Sequence, residues 1–335
     1  MTKRERVIKA ITHKTTDFVP YSIFFTQQEY KNVANYLGDK DFQDKIGNHI
    51  SLVDCKPPQV EFLHGSGYWK DEFGVVWNKN GADKDIGVID NILIPEPDIN
   101  GYQMPDVDED YLRSQMEKVV KDSGDTFRLP CIGFSMFERA WTLTGMENLL
   151  INMLIEPEFV ENLLDSILEH NLKVIDIALE YDIDGFHFGD DWGQQKGLIM
   201  GPDCWRRFIK PRVAKMYERV KNKGKFVSQH SCGDISEILP DLIDMGLDVY
   251  QTFQPEIYDI GKVKKEYGSN LTFWGGISTQ RLLPFAAPEE IKSVTREIIK
   301  ILGKDGGYIA APTHSVPGDV PPENIVALID AFQHQ

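Results

Sequence analysis

The feature that most constrains the fold is a regular alternation of short strand-like segments and helical segments along the chain. Each strand-like segment is rich in Val, Ile, Phe or Tyr, and the segment after it carries apolar residues at helical spacing. The strand-like segments lie at 18–25, 49–55, 127–134, 184–191, 225–234, 248–253, 271–277 and 308–314. Such alternation builds a parallel sheet through right-handed crossovers. About eight strands are what a closed parallel barrel needs, so we predict an α/β fold of the (β/α)8 TIM-barrel type.

An open, doubly wound sheet is the alternative to the barrel. No Gly-rich phosphate-binding turn of the G-x-G-x-x-G type follows the first strand, which disfavours a dinucleotide-binding sheet. We expect one barrel domain over residues 1–335 with two additions. An N-terminal helix is predicted at 3–12, and an inserted β-ribbon, rich in aromatic residues, Gly and Asp, is predicted at about 60–93.

Charge and composition exclude several classes of function. The 335 residues include 36 Lys and Arg against 52 Asp and Glu, a net charge of −16. This balance argues against a nucleic-acid partner and against an anionic membrane surface. The 4 cysteines are irregularly spaced and indicate a reducing compartment rather than a disulfide framework. With no apolar run near the roughly 18 to 20 residues of a membrane span and no signal sequence, we expect a cytoplasmic protein.

Polar side chains collect at the predicted strand ends, where barrel enzymes hold their chemistry. His230 and Cys232 are two apart, so in a strand both project to the same face. An imidazole nitrogen and a thiolate are ligands that zinc prefers. The other candidates at strand ends or just beyond them are His187, Asp190, Asp191, Gln195, Gln251, Gln254 and His314.

Each candidate also has an ordinary structural interpretation. A single buried histidine such as His187 is more often a hydrogen-bonded core residue than a ligand. Cys232 alone behaves as a small apolar side chain. Asp190 and Asp191 follow a strand and precede a helix, where carboxylates commonly cap the helix. Spacing alone leaves these interpretations open.

Several stretches resemble the uroporphyrinogen decarboxylase superfamily. They are 4–11, 17–20, the Gly-Gly-Ile at 275–277 and the segment 314–324, and together they span nearly the whole chain. The resemblance implies a (β/α)8 barrel. In that superfamily the true decarboxylases carry an arginine-containing motif after the first strand, but residues 24–30 of this chain contain no arginine. Without it, a polycarboxylate substrate lacks its cationic partners.

The second branch of the superfamily comprises zinc-dependent methyltransferases that work with corrinoid proteins. Their metal motif, His-x-Cys followed by a distant Cys, is similar to His230-Ser231-Cys232, with His314 in the place of the last Cys. Decarboxylases also carry a histidine there, so His314 either binds zinc or reflects shared ancestry. The stretch 190–193 resembles the O-demethylase methyltransferases.

The resemblance implies a zinc enzyme that moves a methyl group from a small methylated donor, such as a methoxyaromatic compound, to the Co(I) of a corrinoid protein. The implied roles are zinc ligation by His230, Cys232 and His314, catalysis by Asp190 and Asp191, and substrate contact by Gln195, Gln254 and His187. The sequence leaves room for a homo-oligomer. Alternatives are corrinoid-to-thiol methyl transfer, decarboxylation of a smaller substrate, and a non-catalytic corrinoid-binding protein.

Overall fold

The structure, a computed structural model, describes residues 1–81 and 85–335. The strands of this part of the chain are β1 Ile50–Asp54, β2 Val60–Glu61, β3 Tyr68–Lys70, β4 Val76–Asn78, β5 Val88–Ile89, β6 Phe127–Ile132, β7 Gly185–Gly189, β8 Gly193–Gln194, β9 Gly197–Leu198, β10 Phe226–His230, β11 Val249–Phe253, β12 Thr272–Ile277 and β13 Tyr308–Pro312.

The α-helices of the same part are α1 Lys3–Ile11, α2 Gln27–Leu37, α3 Gln43–Ile46, α4 Glu109–Asp122, α5 Phe137–Thr144, α6 Met146–Ile155, α7 Pro157–Ala178, α8 Gly201–Cys204, α9 Lys210–Lys221, α10 Leu239–Asp244, α11 Ile260–Tyr267, α12 Leu282–Phe285, α13 Pro288–Leu302 and α14 Pro322–Gln333. A π-helical turn at Trp205–Ile209 precedes α9, and a 3-10 turn at Ser236–Ile238 precedes α10.

The main sheet has 7 strands within the described residues, all parallel, in the order β1-β6-β7-β10-β11-β12-β13. Helices connect successive strands, as parallel pairing requires. The residues of β7, β12 and β13 are buried throughout, which is why these strands read as continuous apolar runs rather than as alternating ones.

The first predicted strand closes the sheet in a reduced form. Tyr21 forms a parallel bridge with Ala310 of β13, and its carbonyl accepts the His49 N–H at 3.0 Å just before β1. The Asn48 side chain then bonds both the N–H and the carbonyl of Ile23, each at 2.9 Å. The segment around Tyr21 and Ile23 thus lies between β13 and β1. On the β1 side, the Asn48 side chain supplies the hydrogen bonds that a neighbouring strand would otherwise make. The predicted barrel is confirmed, with its closing position filled by single bridges rather than by a regular strand.

The predicted N-terminal helix is α1, and it closes the lower end of the barrel. Its Val7 and Ile11 are buried and pack with Phe127 and Val249 at the start of their strands. Thr2 caps the helix by accepting the Glu5 N–H at 3.1 Å. The opposite rim, where the strands end, is therefore the end that α1 does not cover.

The predicted ribbon is a four-stranded antiparallel sheet in the order β2-β3-β4-β5. Asp71 ties it to the barrel, because its carboxylate accepts the Phe73 N–H at 3.0 Å and the Trp77 indole N–H at 3.2 Å. The Arg139 guanidinium of α5 donates to the same carboxylate at 2.8 Å. The ribbon therefore rests on α5.

Within residues 1–81 and 85–335, none of the helices combines the length and the apolar character that crossing a bilayer demands.

Candidate metal centre at the barrel rim

Three side chains with metal-binding atoms converge at the carboxyl rim of the barrel. His230 ends β10, Cys232 lies two residues beyond it, and His314 lies two residues beyond β13. Their ligand atoms all lie within 4.8 Å of one another. The Cys232 Sγ is 3.5 Å from the His230 Nε2, and the His230 and His314 rings are 5.8 Å apart between centroids.

The His230 ring is held from its other side by Gln251. Strands β10 and β11 place His230 and Gln251 in register, and the His230 Nδ1 is hydrogen-bonded to the Gln251 Oε1. An amide oxygen only accepts, so Nδ1 carries a proton, and Nε2 is the ring nitrogen that faces Cys232 and Asp191. Metal-binding histidines are commonly oriented in this way by a second residue.

Asp191 lies beside the same cluster. Its Oδ1 is 3.3 Å from the His230 Nε2 and accepts the Cys232 backbone N–H at 2.8 Å. Burial raises the pKa of Asp191, but the hydrogen bond and charge of His230, together with the hydrogen bonds from Cys232, outweigh that effect and bring the pKa to about 2. Burial lowers the pKa of His230, yet the hydrogen bonds to Asp191 and Cys232 raise it above its ordinary value.

The donor set fits a zinc ion. Two imidazoles, a thiol and an adjacent carboxylate are the ligand types of tetrahedral zinc. Zinc–sulfur and zinc–nitrogen bonds of about 2.3 and 2.1 Å at the tetrahedral angle separate the two ligand atoms by about 3.6 Å. The observed 3.5 Å between Cys232 Sγ and His230 Nε2 matches that separation.

Asp190 occupies a different position from its neighbour. It is fully buried, and its carboxylate accepts the backbone N–H groups of Phe137 at 2.9 Å and Glu138 at 2.8 Å, together with the Trp192 indole at 2.6 Å. Burial raises the pKa of Asp190 to about 6, although these donors favour the ionised form. Asp190 therefore caps α5, a helix that precedes it by about 50 residues, and not the helix that follows it in the chain, which is the one the sequence suggested.

A cavity of about 260 Å³, the inner cavity, opens beside His230 and His314. It is lined by Ser22, Phe24, Leu52, His187, His230, Gln251, Trp274, Ala311, Pro312, His314 and Ser315. No arginine or lysine occurs among these described residues. Its volume is slightly below the roughly 300–1,000 Å³ of sites for drug-sized ligands, so a small molecule suits it.

His187 forms part of the wall of the inner cavity. It is in register with Ser228 on the neighbouring strand, and its Nδ1 is 2.9 Å from the Ser228 Oγ. Burial lowers the pKa of His187 to about 3, so the ring is neutral. Its ring meets Trp274 edge-on at 5.5 Å between centroids.

The two glutamines predicted to contact substrate lie elsewhere. Gln195 is exposed in the turn between β8 and β9, and Gln254 is buried with its Oε1 accepting the Gly233 N–H at 3.0 Å. Neither is among the residues that line the inner cavity. Gln254 instead supports the turn that follows Cys232.

The sequence suggested Gln254 as a substrate contact, whereas the glutamine that lines the inner cavity is Gln251. Gln251 lies within the strand-like segment 248–253 and Gln254 directly after it, and only the register of β10 with β11 identifies the one beside His230. Ser228 had a usable signal, because it lies two residues before His230 on the same strand face. Glu138 had none. It comes from α5, and burial together with the Asp191 and Asp190 carboxylates raises its pKa.

A sequence profile described as Uroporphyrinogen decarboxylase (URO-D) matches residues 80–335. The chain belongs to the uroporphyrinogen decarboxylase family. It is 23% identical to the uroporphyrinogen decarboxylase of Coxiella burnetii (strain RSA 493 / Nine Mile phase I) over 362 aligned residues, covering 99% of this chain and 95% of that protein. It is also 23% identical to the uroporphyrinogen decarboxylase of Methylococcus capsulatus (Bath), covering 70% of this chain and 67% of that protein.

Among solved structures, this family member is similar to a methyltransferase from Methanosarcina mazei. The TM-score is 0.74 at 18% identity, and the match covers 99% of this chain and 98% of that one. A likeness at this identity shows that the two share the barrel fold. The predicted superfamily and fold are both confirmed.

Proposed function

We propose that the protein is a zinc-dependent methyltransferase that moves a methyl group from a small methylated donor, a methoxyaromatic compound, to the Co(I) of a corrinoid protein. The observation that carries the proposal is the convergence of His230, Cys232 and His314 beside a small cavity. The lining of that cavity, as far as the structure describes it, lacks the cations that a polycarboxylate substrate would need.

The proposed reaction breaks the C–O bond of the donor and leaves the electron pair on oxygen. The cobalt supplies the pair for the new Co–C bond, and the oxygen takes up a proton from solvent. Zinc bound by His230, Cys232 and His314 supplies a Lewis acid for the oxygen on which negative charge develops.

The protein's own side chains prepare this site. Gln251 fixes the tautomer of His230, and Asp191 holds His230 and Cys232 together through one carboxylate oxygen. We assign Asp191 as a positioning residue, so that a zinc ion held by His230, Cys232 and His314 would keep a position open for the donor oxygen. Asp190 acts one step further away, by capping α5.

The walls of the inner cavity suit the methoxy end of an aromatic donor. Phe24, Leu52 and Trp274 supply apolar surface, and the neutral His187 adds a polar edge without a charge. Removing water from such a pocket strengthens the attraction between a metal and a developing oxyanion.

Elemental analysis of purified protein tests the metal site. We expect zinc in the wild-type protein and its loss in His230→Ala, Cys232→Ala and His314→Ala. Cys204→Ala is the matched control and retains zinc, because Cys204 lies outside the cluster. Full occupancy in His230→Ala and Cys232→Ala, or none in the wild type, contradicts the site.

A spectroscopic assay tests the reaction. The protein is mixed with reduced corrinoid protein and methylated aromatics, amines or thiols, and methylcobalamin absorbance is followed. We expect the cobalt of the corrinoid protein to be methylated when a methoxyaromatic compound is the donor. Turnover only from methylated corrinoid to added thiols would reverse the direction, and corrinoid binding without turnover on any donor would indicate a non-catalytic partner.

Decarboxylation of a smaller substrate is the second candidate, because the curated relatives carry the name of a decarboxylase. Release of CO2 by the metal-free protein, undiminished in Cys232→Ala, would favour it over methyl transfer.

A further inference from the structure

A second cavity, the outer cavity, lies between the inserted sheet and the barrel rim. Its volume is about 760 Å³, and its walls include Lys56, Gly133, Phe134, Trp69 and Trp77. The two cavities meet the same segment of chain, because Leu52, Asp54 and Lys56 follow one another at alternate positions along β1 and just beyond it. Leu52 lines the inner cavity, whereas Asp54 and Lys56 line the outer one.

Strand register places Lys56 at the height of the metal-binding histidine. Asp54 pairs with Cys131, so Lys56 comes level with Gly133 two residues later. Ile132 pairs with Phe188, so Gly133 comes level with Gly189. Gly189 in turn pairs with His230.

The two positions between Lys56 and His230 at this height are glycines. A Cβ on Gly133 would meet no atom within 4 Å, and a Cβ on Gly189 would lie 3.2 Å from the Gly133 Cα. Gly189 is therefore covered by the Gly133 backbone, and Gly133 itself leaves open space between the metal cluster and Lys56. Three strand spacings, about 14 Å, separate the backbone of Lys56 from that of His230. The Lys56 side chain extends across one of these spacings, because its Nζ donates to the Gly133 carbonyl. The span that remains fits a molecule with one aromatic ring.

Lys56 has binding capacity left. Its Nζ donates to the Gly133 carbonyl, and no carboxylate oxygen of residues 1–81 or 85–335 lies within 4.0 Å of it. An ammonium has three N–H donors, so others remain. Burial lowers the pKa of Lys56, as expected for a cation without a close counter-ion.

The nearby carboxylates do not occupy this cation. The Asp71 carboxylate is paired with Arg139 at 2.8 Å, and both are buried. The Asp54 side chain is exposed and accepts the Lys56 backbone N–H at 3.0 Å. Burial raises the pKa of Glu72, which weakens its repulsion of an anion.

We propose that the methyl donor carries a carboxylate at the end remote from its methyl ether, and that this carboxylate binds the Lys56 ammonium in the outer cavity. The proposal rests on the proposed function for the position of the ether. The ring then crosses the rim over Gly133, between Phe134 on one side and the metal cluster on the other. Donors of this class are methoxyarenes with a para carboxylate.

Calorimetric binding of a matched pair of ligands tests the assignment. The pair is 4-methoxybenzoate and its neutral amide, 4-methoxybenzamide, titrated into the zinc-loaded full chain. We expect the wild type to bind the carboxylate about 10- to 100-fold more tightly, as for a hydrogen-bonded charge pair. Lys56→Met should abolish this preference while binding of the amide stays unchanged, and Lys56→Arg should retain most of it.

Two results overturn the proposal: equal affinity for both ligands in the wild type, including no binding of either, and a carboxylate preference that survives in Lys56→Met. Unchanged amide binding in Lys56→Met shows that this variant is folded. Because the readout is binding, the two proposals fail separately. A Lys56-dependent preference without methyl transfer would refute only the reaction, and methyl transfer from both donors without a preference would refute only the anion site.

Discussion

His230 is constrained at both ring nitrogens, and this decides what it can bind. Gln251 accepts the Nδ1 proton, while Cys232 and Asp191 face Nε2. A histidine oriented in this way loses little rotational freedom on binding a metal. The orientation of His230 thus depends on Gln251, which lies outside the cluster of His230, Cys232 and His314.

Replacing Gln251 by leucine is therefore expected to weaken zinc binding about 10- to 100-fold, because the His230 tautomer is no longer fixed. Competition with a chromophoric chelator measures the affinity. Gln195→Leu, in an exposed turn, provides the control and should bind zinc as the wild type does. Wild-type affinity in Gln251→Leu would rule out this orienting role.

At the rim of the barrel, some backbone hydrogen bonds of the strands and helices are made by side chains instead of by neighbouring backbone. Asn48 makes such bonds where the barrel closes, and Asp190 makes them at the start of α5. Helix α5 also carries Arg139, which binds Asp71 of the inserted sheet. One buried carboxylate therefore positions a helix on which the wall of the outer cavity rests.

Asp190→Ala is expected to lower the free energy of unfolding by about 2–4 kcal/mol, since several buried N–H groups lose their acceptor. Asp108 caps α4 at the surface by accepting the Tyr111 N–H at 3.0 Å, so Asp108→Ala should cost only about 1 kcal/mol. Urea denaturation compares the two variants. A smaller loss for Asp190→Ala than for Asp108→Ala would contradict the buried cap.

At the scale of the whole molecule, buried neutral histidines make stability depend on pH. Burial, with a further contribution from Arg6, lowers the pKa of His49 to about 4 from 6.5. Burial likewise lowers the pKa of His170 to about 4. Below about pH 6.5 the unfolded chain binds protons at these two residues, but the folded chain does not until about pH 4. The free energy of unfolding therefore falls as the pH drops through this window.

Between pH 7 and pH 5 each of these histidines should account for about 1–2 kcal/mol of that fall. Chemical denaturation at the two pH values measures it, and the double variant His49→Gln/His170→Gln should lose about 2–4 kcal/mol of the pH dependence. His64 is fully exposed, so His64→Gln should leave the dependence unchanged. An equal dependence in the double variant and the wild type would refute the assignment.

Local patterns in the sequence were enough for most of the fold. Strands β7 and β13 lie within the predicted segments 184–191 and 308–314, and α1 lies within the predicted helix at 3–12. The inserted sheet was recognised by its aromatic residues and turns. The segment 18–25 reads as a full strand but forms single bridges, because the Asn48 side chain takes the place of part of its ladder. Periodicity reports burial and spacing, and it does not report which group accepts each backbone hydrogen bond.

The same distinction holds for the site. Spacing alone put His230 and Cys232 on one strand face, because residues two apart in a strand point the same way. Tertiary structure was needed to separate Asp191, which touches the cluster, from Asp190, which caps a helix, and to place Gln251 and Lys56 level with His230. Side-chain direction along a strand is a local property. Register between strands that are distant in sequence arises only when the barrel closes, so it cannot be predicted from a local sequence motif.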